Sequence, residues 1–375
     1  MAKADVRDDF VREAMDWKSP YELWKESQGL PTIRGLGVHG LYDDDFDLFP
    51  WKARGGSGVF VNLDGTGGFN DTYVCEIPPR TSLNPNKHIY EETVFILRGQ
   101  GATTVWLDES KKQTFEWQKH SYFAIPPNAA YQHHNVSGSE PARYVAMTAA
   151  PRVIDTFKNL EFVFNNPFVF SDRFSGEDGY FKETPQEGRG RGPWTTNFVA
   201  DVMESSIRKR YPEGERAGWG RAIGGFGSGF NMVNSTMRSH SSGWAIGTYK
   251  KAHRHGPGIH VLILKGTGYT LMWQGGEPVE RIDWRPGSMF VPPEMWFHQH
   301  FNTCPEPVLF LAIGWGSEKP KLGGKQYVYT SVKEGGDNIE WEDEDPQIHR
   351  DYEAEIATNG VECTMGKHHP FCTFK

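Results

Sequence analysis

Histidines in two short segments could form a metal site. The first segment, HRHGPGIH, carries His253, His255 and His260, and the second, FHQHFN, carries His298 and His300. Residues two apart on an extended strand point to the same side, so His253 and His255 can reach one point. Imidazole nitrogens bind iron, copper, nickel, manganese and zinc. The pattern therefore predicts a metal site, and solvated loop histidines are the alternative.

The sequence predicts that the elements that position these histidines are short strands. The chain contains 42 Gly, 24 Pro and 13 Trp, which favours many short strands joined by tight turns. Apolar runs such as GVFVNL, TVFILRG and YFAIPP are followed later by HVLILKG, YTLMWQ and SMFVPP. The sequence predicts an all-β fold, either a barrel or a sandwich.

The two sets of strands have landmark residues in register. The offset from Gly99 to Gly266 equals the offset from Gly101 to Gly268. The Pro-Pro pair that begins at Pro126 corresponds to the pair that begins at Pro292, and the offset between them is one residue shorter than that of the glycines. Two copies of one β unit explain this agreement.

The repeat predicts five regions along the chain. Residues 5–28 suit one or two short amphipathic helices broken at Ser19-Pro20. We expect an N-terminal helical or irregular segment, a first barrel, a connecting segment, a second barrel and a C-terminal strap or tail. Their predicted bounds are 1–55, 56–155, 156–235, 236–318 and 319–375.

Both histidine segments resemble the cupin signature. Its first motif is Gly, five residues and His-x-His, and its second is Gly, five residues, Pro-x-Gly, two residues, His, three residues and Asn. The residues at these spacings are Gly247, His253 and His255, then Gly287, Pro293, His298 and Asn302. Met295 stands where the second motif has its later glycine. The resemblance implies tandem double-stranded β-helix (cupin jelly-roll) barrels, with His253, His255 and His298 as metal ligands.

The carboxylate of the cupin signature is missing from this site. Ile259 stands at the position of the usual glutamate, beside His260. If the strand register is unshifted, Ile259 faces the metal and the ligands are three histidines, which is the favoured interpretation. A one-residue bulge would turn His260 inward as a fourth ligand. His300 could replace His298 or lie just outside the ligand set.

The first copy retains fewer of the ligands. His88 and Glu92 occupy ligand positions, whereas Asn86 replaces the first histidine, and a gap-free count from the Pro-Pro pair puts Gln132 at the last one. His133 would recover a third ligand after a register shift. We expect the first barrel to be structural.

The C-terminal segment CTMGKHHPFC offers a second set of ligand types. Cys363, His368, His369 and Cys372 suit zinc, but their spacing matches no common zinc finger. An unstructured tail with two free thiols is the expectation.

The ligand set indicates the class of chemistry. Three neutral histidines leave the full charge on a divalent ion and favour an anionic, chelating substrate. The chain resembles bicupins of the gentisate 1,2-dioxygenase type, which implies an Fe(II) dioxygenase that uses dioxygen to cleave a C–C bond of a small substrate. The metal site predicted for this chain lies in the later barrel, whereas the metal of that family lies in the N-terminal barrel. The alternatives are a non-redox isomerase, lyase or hydrolase with zinc, manganese or nickel, and a non-catalytic binding or storage bicupin. Catalytic residues beyond the ligands are not assigned.

Composition limits the partners. The net charge is −8 with no basic block, which argues against a nucleic-acid surface. The chain has four scattered cysteines and neither a signal-peptide core nor a long apolar run, so we expect no membrane association and a cytoplasmic location. A homo-oligomer is compatible with the predicted fold.

Overall fold

The protein is described here by a computed structural model. The structure describes residues 17–182, 194–207, 221–232, 235–315 and 330–374. The first part of the predicted N-terminal segment and most of the connector PQEGRGRGPW lie outside the described residues.

The N-terminal segment contains one described helix and two short strands. They are α1 Pro20–Ser27, β1 Thr32–Ile33 and β2 Gly37–Val38. At the start of α1 the Ser19 side chain accepts a hydrogen bond from the backbone N–H of Glu22, and the Glu22 carboxylate accepts one from the backbone N–H of Ser19. This capping box satisfies amide groups that have no partner in the first turn, so the helix begins directly after Ser19.

The first barrel consists of two antiparallel sheets. Its strands are β3 Phe49–Trp51, β4 Gly56–Val61, β5 Asp71–Ile77, β6 Glu92–Arg98, β7 Gln100–Asp108, β8 Lys111–Gln118, β9 Tyr122–Ile125, β10 Ala130–Asn135 and β11 Ala142–Thr148. One sheet has the order β4-β5-β11-β6-β9, and the other has the order β10-β7-β8.

The connecting segment holds short helices and two short strands. They are α2 Ala150–Phe157, α3 Leu160–Phe164, β12 Trp194–Thr196, β13 Phe198–Val199 and α4 Val202–Ile207. Strand β13 pairs with β9, and β12 pairs with the first strand of the second barrel.

The second barrel repeats the topology of the first. Its strands are β14 Gly229–Met232, β15 Met237–Trp244, β16 His260–Lys265, β17 Gly268–Trp273, β18 Glu280–Trp284, β19 Met289–Phe290, β20 Phe297–Asn302 and β21 Val308–Trp315. One sheet has the order β14-β15-β21-β16-β19, and the other has the order β18-β17-β20. These orders match those of the first barrel strand for strand. The predicted all-β fold of tandem double-stranded β-helix (cupin jelly-roll) barrels is therefore confirmed.

The N-terminal segment joins the two barrels instead of only covering them. Strand β1 lies parallel to β4 of the first barrel, and β2 pairs with β19 of the second. A shared hydrophobic core lies between the barrels, and each barrel also has a core of its own. Along β16, Leu262 and Leu264 face the shared core, while Val261 and Ile263 face the interior of the second barrel. This alternation is that of a strand buried on both faces.

The C-terminal segment folds against the second barrel. Its elements are two short 3-10 turns, Val332–Glu334 and Trp341–Asp343, and the helix α5 Pro346–Thr358. The Tyr352 hydroxyl donates to the carbonyl of Asn302 at 2.9 Å, and the backbone N–H of Thr364 donates to the carbonyl of Gly247 at 2.9 Å. Cys363 and Cys372 are buried. The expectation of an unstructured tail is wrong for these residues, because their side chains pack in a core with α5.

Candidate metal centre

Three histidines converge inside the second barrel. The loop before β16 runs beside β20, where the backbone N–H of His253 donates to the carbonyl of His298 at 3.0 Å and the reverse bond measures 2.8 Å. His298 and His300 lie two apart on β20 and so point to the same side. One ring nitrogen from each of His253, His298 and His300 lies within 4.8 Å of the others, and all three side chains are buried.

His255 lies at the edge of this group. Its ring centroid is 4.5 Å from that of His298 and 6.0 Å from that of His253, comparable with the 5.5 and 5.8 Å for His300. His255 is half-buried, and it is not part of the group whose ring nitrogens lie within 4.8 Å of one another. Of the predicted ligands His253, His255 and His298, the structure thus places the first and third in one compact group. The third member of this group is His300, whereas the motif spacing predicts His255.

His260 lies on the other face of its strand. It begins β16 and pairs with Ile313 of β21, which faces the shared core between the barrels. Ile259 packs toward the core of the second barrel instead. The register is therefore unshifted, and the bulge that would make His260 a fourth ligand does not occur. Burial lowers the pKa of His260 to about 3, partly offset by the nearby backbone of Gly258 and Ile313.

The hydrogen bonds of the histidines fit a metal site. The Nδ1 atoms of His253, His255 and His298 lie 3.0, 2.8 and 3.1 Å from the carbonyl oxygens of Lys251, Gly256 and Trp296. A carbonyl can only accept, so each Nδ1 carries the proton and each Nε2 presents a lone pair. Metal-binding histidines are oriented by such a bond from the ring nitrogen that is not coordinated. The donor set present here therefore fits a divalent transition metal.

His300 is held by a side chain instead. Its Nδ1 lies 2.8 Å from the Thr270 hydroxyl oxygen, which also accepts a hydrogen bond of 3.0 Å from Trp284 Nε1. A hydroxyl can donate or accept, so this contact does not fix the tautomer. Coordination through Nε2 requires that Nδ1 donate to Thr270.

The group is kept neutral by its surroundings. Burial is the main cause that lowers the pKa of His253, His298 and His300 well below 6.5. The Arg221 guanidinium lowers the pKa of all three further. The carbonyl of Arg221 accepts a hydrogen bond of 2.8 Å from the backbone N–H of Lys251, two residues before His253. Neutral imidazole is the form that binds a metal ion. Burial also lowers the pKa of Lys250, whose ammonium nitrogen lies 2.8 Å from the Ser242 hydroxyl.

The first barrel carries different residues at the corresponding positions. The offset between the glycine landmarks of the two copies relates His253, His255, Ile259, His298 and His300 to Asn86, His88, Glu92, Tyr131 and His133. The backbone bridges agree, since Asn86 pairs with Tyr131 as His253 pairs with His298. The assignment of Gln132 to the last histidine position is wrong, because Tyr131 occupies it. The stretch from the Pro-Pro pair to this position is one residue shorter in the first barrel.

A hydrogen-bond network occupies the centre of the first barrel. The Tyr131 hydroxyl lies 3.0 Å from Glu92 Oε1, 3.1 Å from His88 Nε2 and 2.9 Å from Asn86 Nδ2. The Arg54 guanidinium lies over the Tyr131 ring at 5.3 Å. Within the described part of the chain, no group of three ligand atoms within 4.8 Å occurs in this barrel. These contacts give the polar side chains at the signature positions partners within the protein, and the structural role of this barrel stays a prediction.

One cavity lies on the opposite face of the histidine-bearing sheet. It has a volume of about 250 Å³ and is lined in part by Gln299, which alternates with His298 and His300 along β20. Gln299 also donates to Glu344. This cavity is therefore separated from the histidine group by the sheet.

Sequence reasoning missed two features of the site, the nearby guanidinium and the hydroxyl that holds His300. The offset between the glycine landmarks also relates Arg221 to Arg54, Thr270 to Thr103 and Trp284 to Trp117. The same offset would have found these pairs, had it been applied to polar and aromatic residues.

Comparisons with known proteins give a likeness in structure only. No family model matches the sequence, and no curated protein matches it. Solved structures that resemble the chain include two of Bacillus subtilis oxalate decarboxylase. A point mutant has 13% identity and a TM-score of 0.49 over 77% of this chain and 79% of that one. A structure from a study of its Mn(II) centres has 14% identity and a TM-score of 0.48 over the same shares. No residue role is transferred at these values. The narrower resemblance to gentisate-type dioxygenases receives no support from these structures.

No helix of the described residues is both long and apolar enough to cross a bilayer.

Proposed function

We propose that the second barrel is the active centre of a metal-dependent enzyme that acts on a small carboxylate. The observation that carries the proposal is the convergence of buried His253, His298 and His300, with Nδ1 bonds that leave Nε2 available on at least the first two. His255 lines the edge of the site. A divalent ion bound there would act as a Lewis acid and leave positions open for substrate.

The charge of the site indicates the class of substrate. All of the proposed ligands are neutral, and Ile259 stands where the cupin signature has a glutamate. Arg221 Nε donates a hydrogen bond of 3.0 Å to Asn338 Oδ1, and Asn338 pairs through its backbone with His253, so the guanidinium is held beside the loop that carries this histidine. A divalent ion and a guanidinium together favour an anion that can chelate, such as a hydroxy acid, a keto acid or a dicarboxylate.

Two reaction classes fit this arrangement. The first is non-redox cleavage of a bond next to the carboxylate, as in a lyase, with Arg221 holding the carboxylate and stabilising the negative charge that develops. The second is cleavage of a C–C bond by a dioxygenase, which the three neutral nitrogen ligands support because they leave room for both substrate and dioxygen. We place the lyase first, since the nearby guanidinium serves it directly. Manganese or zinc suits the first class and Fe(II) the second, and nickel is also compatible with imidazole ligands.

Metal analysis combined with two activity assays tests the proposal. The full chain, purified without oxygen, is loaded separately with Fe(II), Mn(II), Zn(II) and Ni(II). Each form is supplied with hydroxy acids, keto acids and dicarboxylates while carbon dioxide release and oxygen uptake are followed. We expect turnover with at least one metal and a loss of turnover in Arg221→Gln through a raised KM. Turnover that needs no oxygen supports the lyase, and turnover coupled to oxygen uptake supports the dioxygenase. A chain that binds no metal at His253 and His298 contradicts both.

A further inference from the structure

A second cluster of metal-ligand side chains lies between α5 and the end of the chain. His349 and Glu353 are four residues apart on α5 and so share one face of the helix. Cys363 and Cys372 approach this face from the segment that follows. One ligand atom from each of the four residues lies within 4.8 Å of the others, and all four residues are buried. We propose that these side chains form a structural zinc site.

The hydrogen bonds around His349 support coordination through its Nε2. The Tyr249 hydroxyl lies close to the Glu344 carboxylate, 2.5 Å from Oε1, and a carboxylate can only accept, so this hydroxyl donates there. His349 Nδ1, 2.8 Å from the same hydroxyl oxygen, must then donate to it. In the neutral ring, the lone pair of His349 therefore lies on Nε2, which faces the cluster.

Two acceptors face each other at this point. His349 Nε2 lies 3.1 Å from Glu353 Oε1, and Thr373 already donates to Glu353 through its backbone N–H at 2.9 Å and its hydroxyl at 2.8 Å. A cation between the ring nitrogen and the carboxylate would resolve this contact. The two cysteine sulfurs lie 3.4 Å apart on the same side.

The chemistry of the four ligands selects zinc. Thiolate sulfur and imidazole nitrogen are the usual ligands of structural zinc, and a carboxylate completes a four-coordinate set with no position left for substrate. Binding releases the two thiol protons to solvent. A disulfide between Cys363 and Cys372 is the competing arrangement, but it would leave His349 and Glu353 without a shared partner.

His369 belongs to the support of the site, not to its ligands. Its Nδ1 accepts a hydrogen bond of 3.3 Å from the backbone N–H of Phe371, so Nε2 carries the proton and donates toward Glu344 Oε1 at 3.2 Å. The His369 ring stacks on that of His349 with centroids 3.8 Å apart. Together with Tyr249 and Glu344, this residue fixes the orientation of His349. Of the residues singled out in CTMGKHHPFC, the two cysteines are thus the proposed ligands.

The site would tie the C-terminal segment to the histidine-bearing sheet. Glu344 accepts from Gln299, which lies between His298 and His300 on β20, and Tyr249 packs on Phe301 of the same strand with ring centroids 4.7 Å apart. The zinc would therefore stabilise the outer side of the strand that carries two of the proposed active-site histidines.

The test uses the full chain and separates the two sites. His298→Ala removes the barrel site, so zinc that remains reports the C-terminal site alone. In this background we expect one zinc per chain, and replacement by Co(II) should give the intense thiolate-to-cobalt absorption of sulfur coordination. Cys372→Ser should lose that zinc and that absorption. Cys304→Ser, which alters another buried cysteine, should keep both.

A second measurement covers the case in which a cysteine variant does not fold. In the His298→Ala protein, zinc should protect Cys363 and Cys372 from alkylation, and a chelator should expose both to it. The proposal is overturned if zinc content is unchanged in Cys372→Ser, if the reduced protein binds no zinc, or if a chelator leaves the alkylation of both cysteines unchanged. A Cys363–Cys372 disulfide in protein kept under reductant would also overturn it. Failure of barrel-site activity leaves these readouts unaffected.

Discussion

The two barrels offer a matched pair of substitutions that tests whether His300 is a ligand. Thr270 joins His300 Nδ1 to Trp284 Nε1 with bonds of 2.8 and 3.0 Å. In the first barrel, Thr103 makes the same bonds to His133 and Trp117, at 2.7 and 2.9 Å. Thr270→Val and Thr103→Val remove the same hydroxyl from two equivalent buried triads.

The magnitudes follow from the bonds that are lost. Both hydroxyls are buried, and each substitution leaves an indole N–H without its acceptor, which costs about 1–3 kcal/mol of stability. Loss of a partner that orients a metal-binding histidine weakens metal binding by about 10–100-fold. That range corresponds to about 1.4–2.8 kcal/mol of binding free energy. Only Thr270→Val should show the second effect.

The assay compares metal affinity and stability in the two variants. Competition with a coloured chelator under anaerobic conditions gives the affinity of the barrel site in a Cys372→Ser background, which removes the proposed zinc site. Urea unfolding of the metal-free proteins gives the stability. We expect similar losses of stability and a loss of affinity in Thr270→Val alone. Unchanged affinity in Thr270→Val would refute the role of His300 and favour His255 as the third ligand. An equal loss of metal affinity in Thr103→Val would refute the assignment of the metal site to the second barrel alone.

Three further predictions follow from the same geometry. His298→Ala should abolish metal binding in the second barrel, whereas His260→Ala should retain it, because His260 faces the shared core; elemental analysis of both variants decides this. The metal-free protein should lose stability as the pH falls below 6.5, since burial lowers the pKa of His298 and its neighbours in the folded state and the unfolded chain binds more protons there. Urea midpoints at about pH 5.5 and about pH 7.5 measure this loss, which should be smaller in His298→Gln. Tyr131→Phe should cost about 1–3 kcal/mol, because Glu92 loses a buried donor, while metal content stays unchanged. Thermal unfolding with metal analysis checks it, and a loss of metal would contradict the structural role of the first barrel.

The sequence was sufficient to predict the repeat and the position of the main histidines. Gly99 and Gly266 lie at turns with positive φ, 80° and 84°, so the chain keeps glycine at both places and the offset stays visible. His253 and His298 were predictable because the motif spacing encodes which strands become neighbours. Strand neighbours that come from outside the repeat, such as β2 beside β19, leave no such signal.

The composition of the ligand group was less predictable. Whether His255 or His300 has a ring nitrogen in the compact group with His253 and His298 depends on the path of a Gly-Pro-Gly loop, which spacing does not determine. The stretch between the Pro-Pro pair and Tyr131 is one residue shorter than the stretch before His298. A count without gaps ignores this difference and therefore gives Gln132 instead of Tyr131 as the equivalent of His298. The C-terminal cluster was hidden for another reason. Its two cysteines meet His349 and Glu353 only through tertiary packing, and the sequence between them has no regular spacing.

The charges at the centres of the two barrels differ, and this difference supports the proposal of a metal in the second barrel alone. In the first barrel, the buried Glu92 carboxylate lies within the influence of the Arg54 guanidinium, and His88 and Tyr131 complete the network without an ion. In the second barrel, an arginine stands at the equivalent position, but Ile259 replaces the carboxylate and the tyrosine becomes His298. A divalent ion added to neutral histidines beside Arg221 leaves an excess of positive charge in a buried site. Only an anionic ligand offsets that excess, so the proposed preference for a carboxylate substrate follows from the replacement of the glutamate by Ile259.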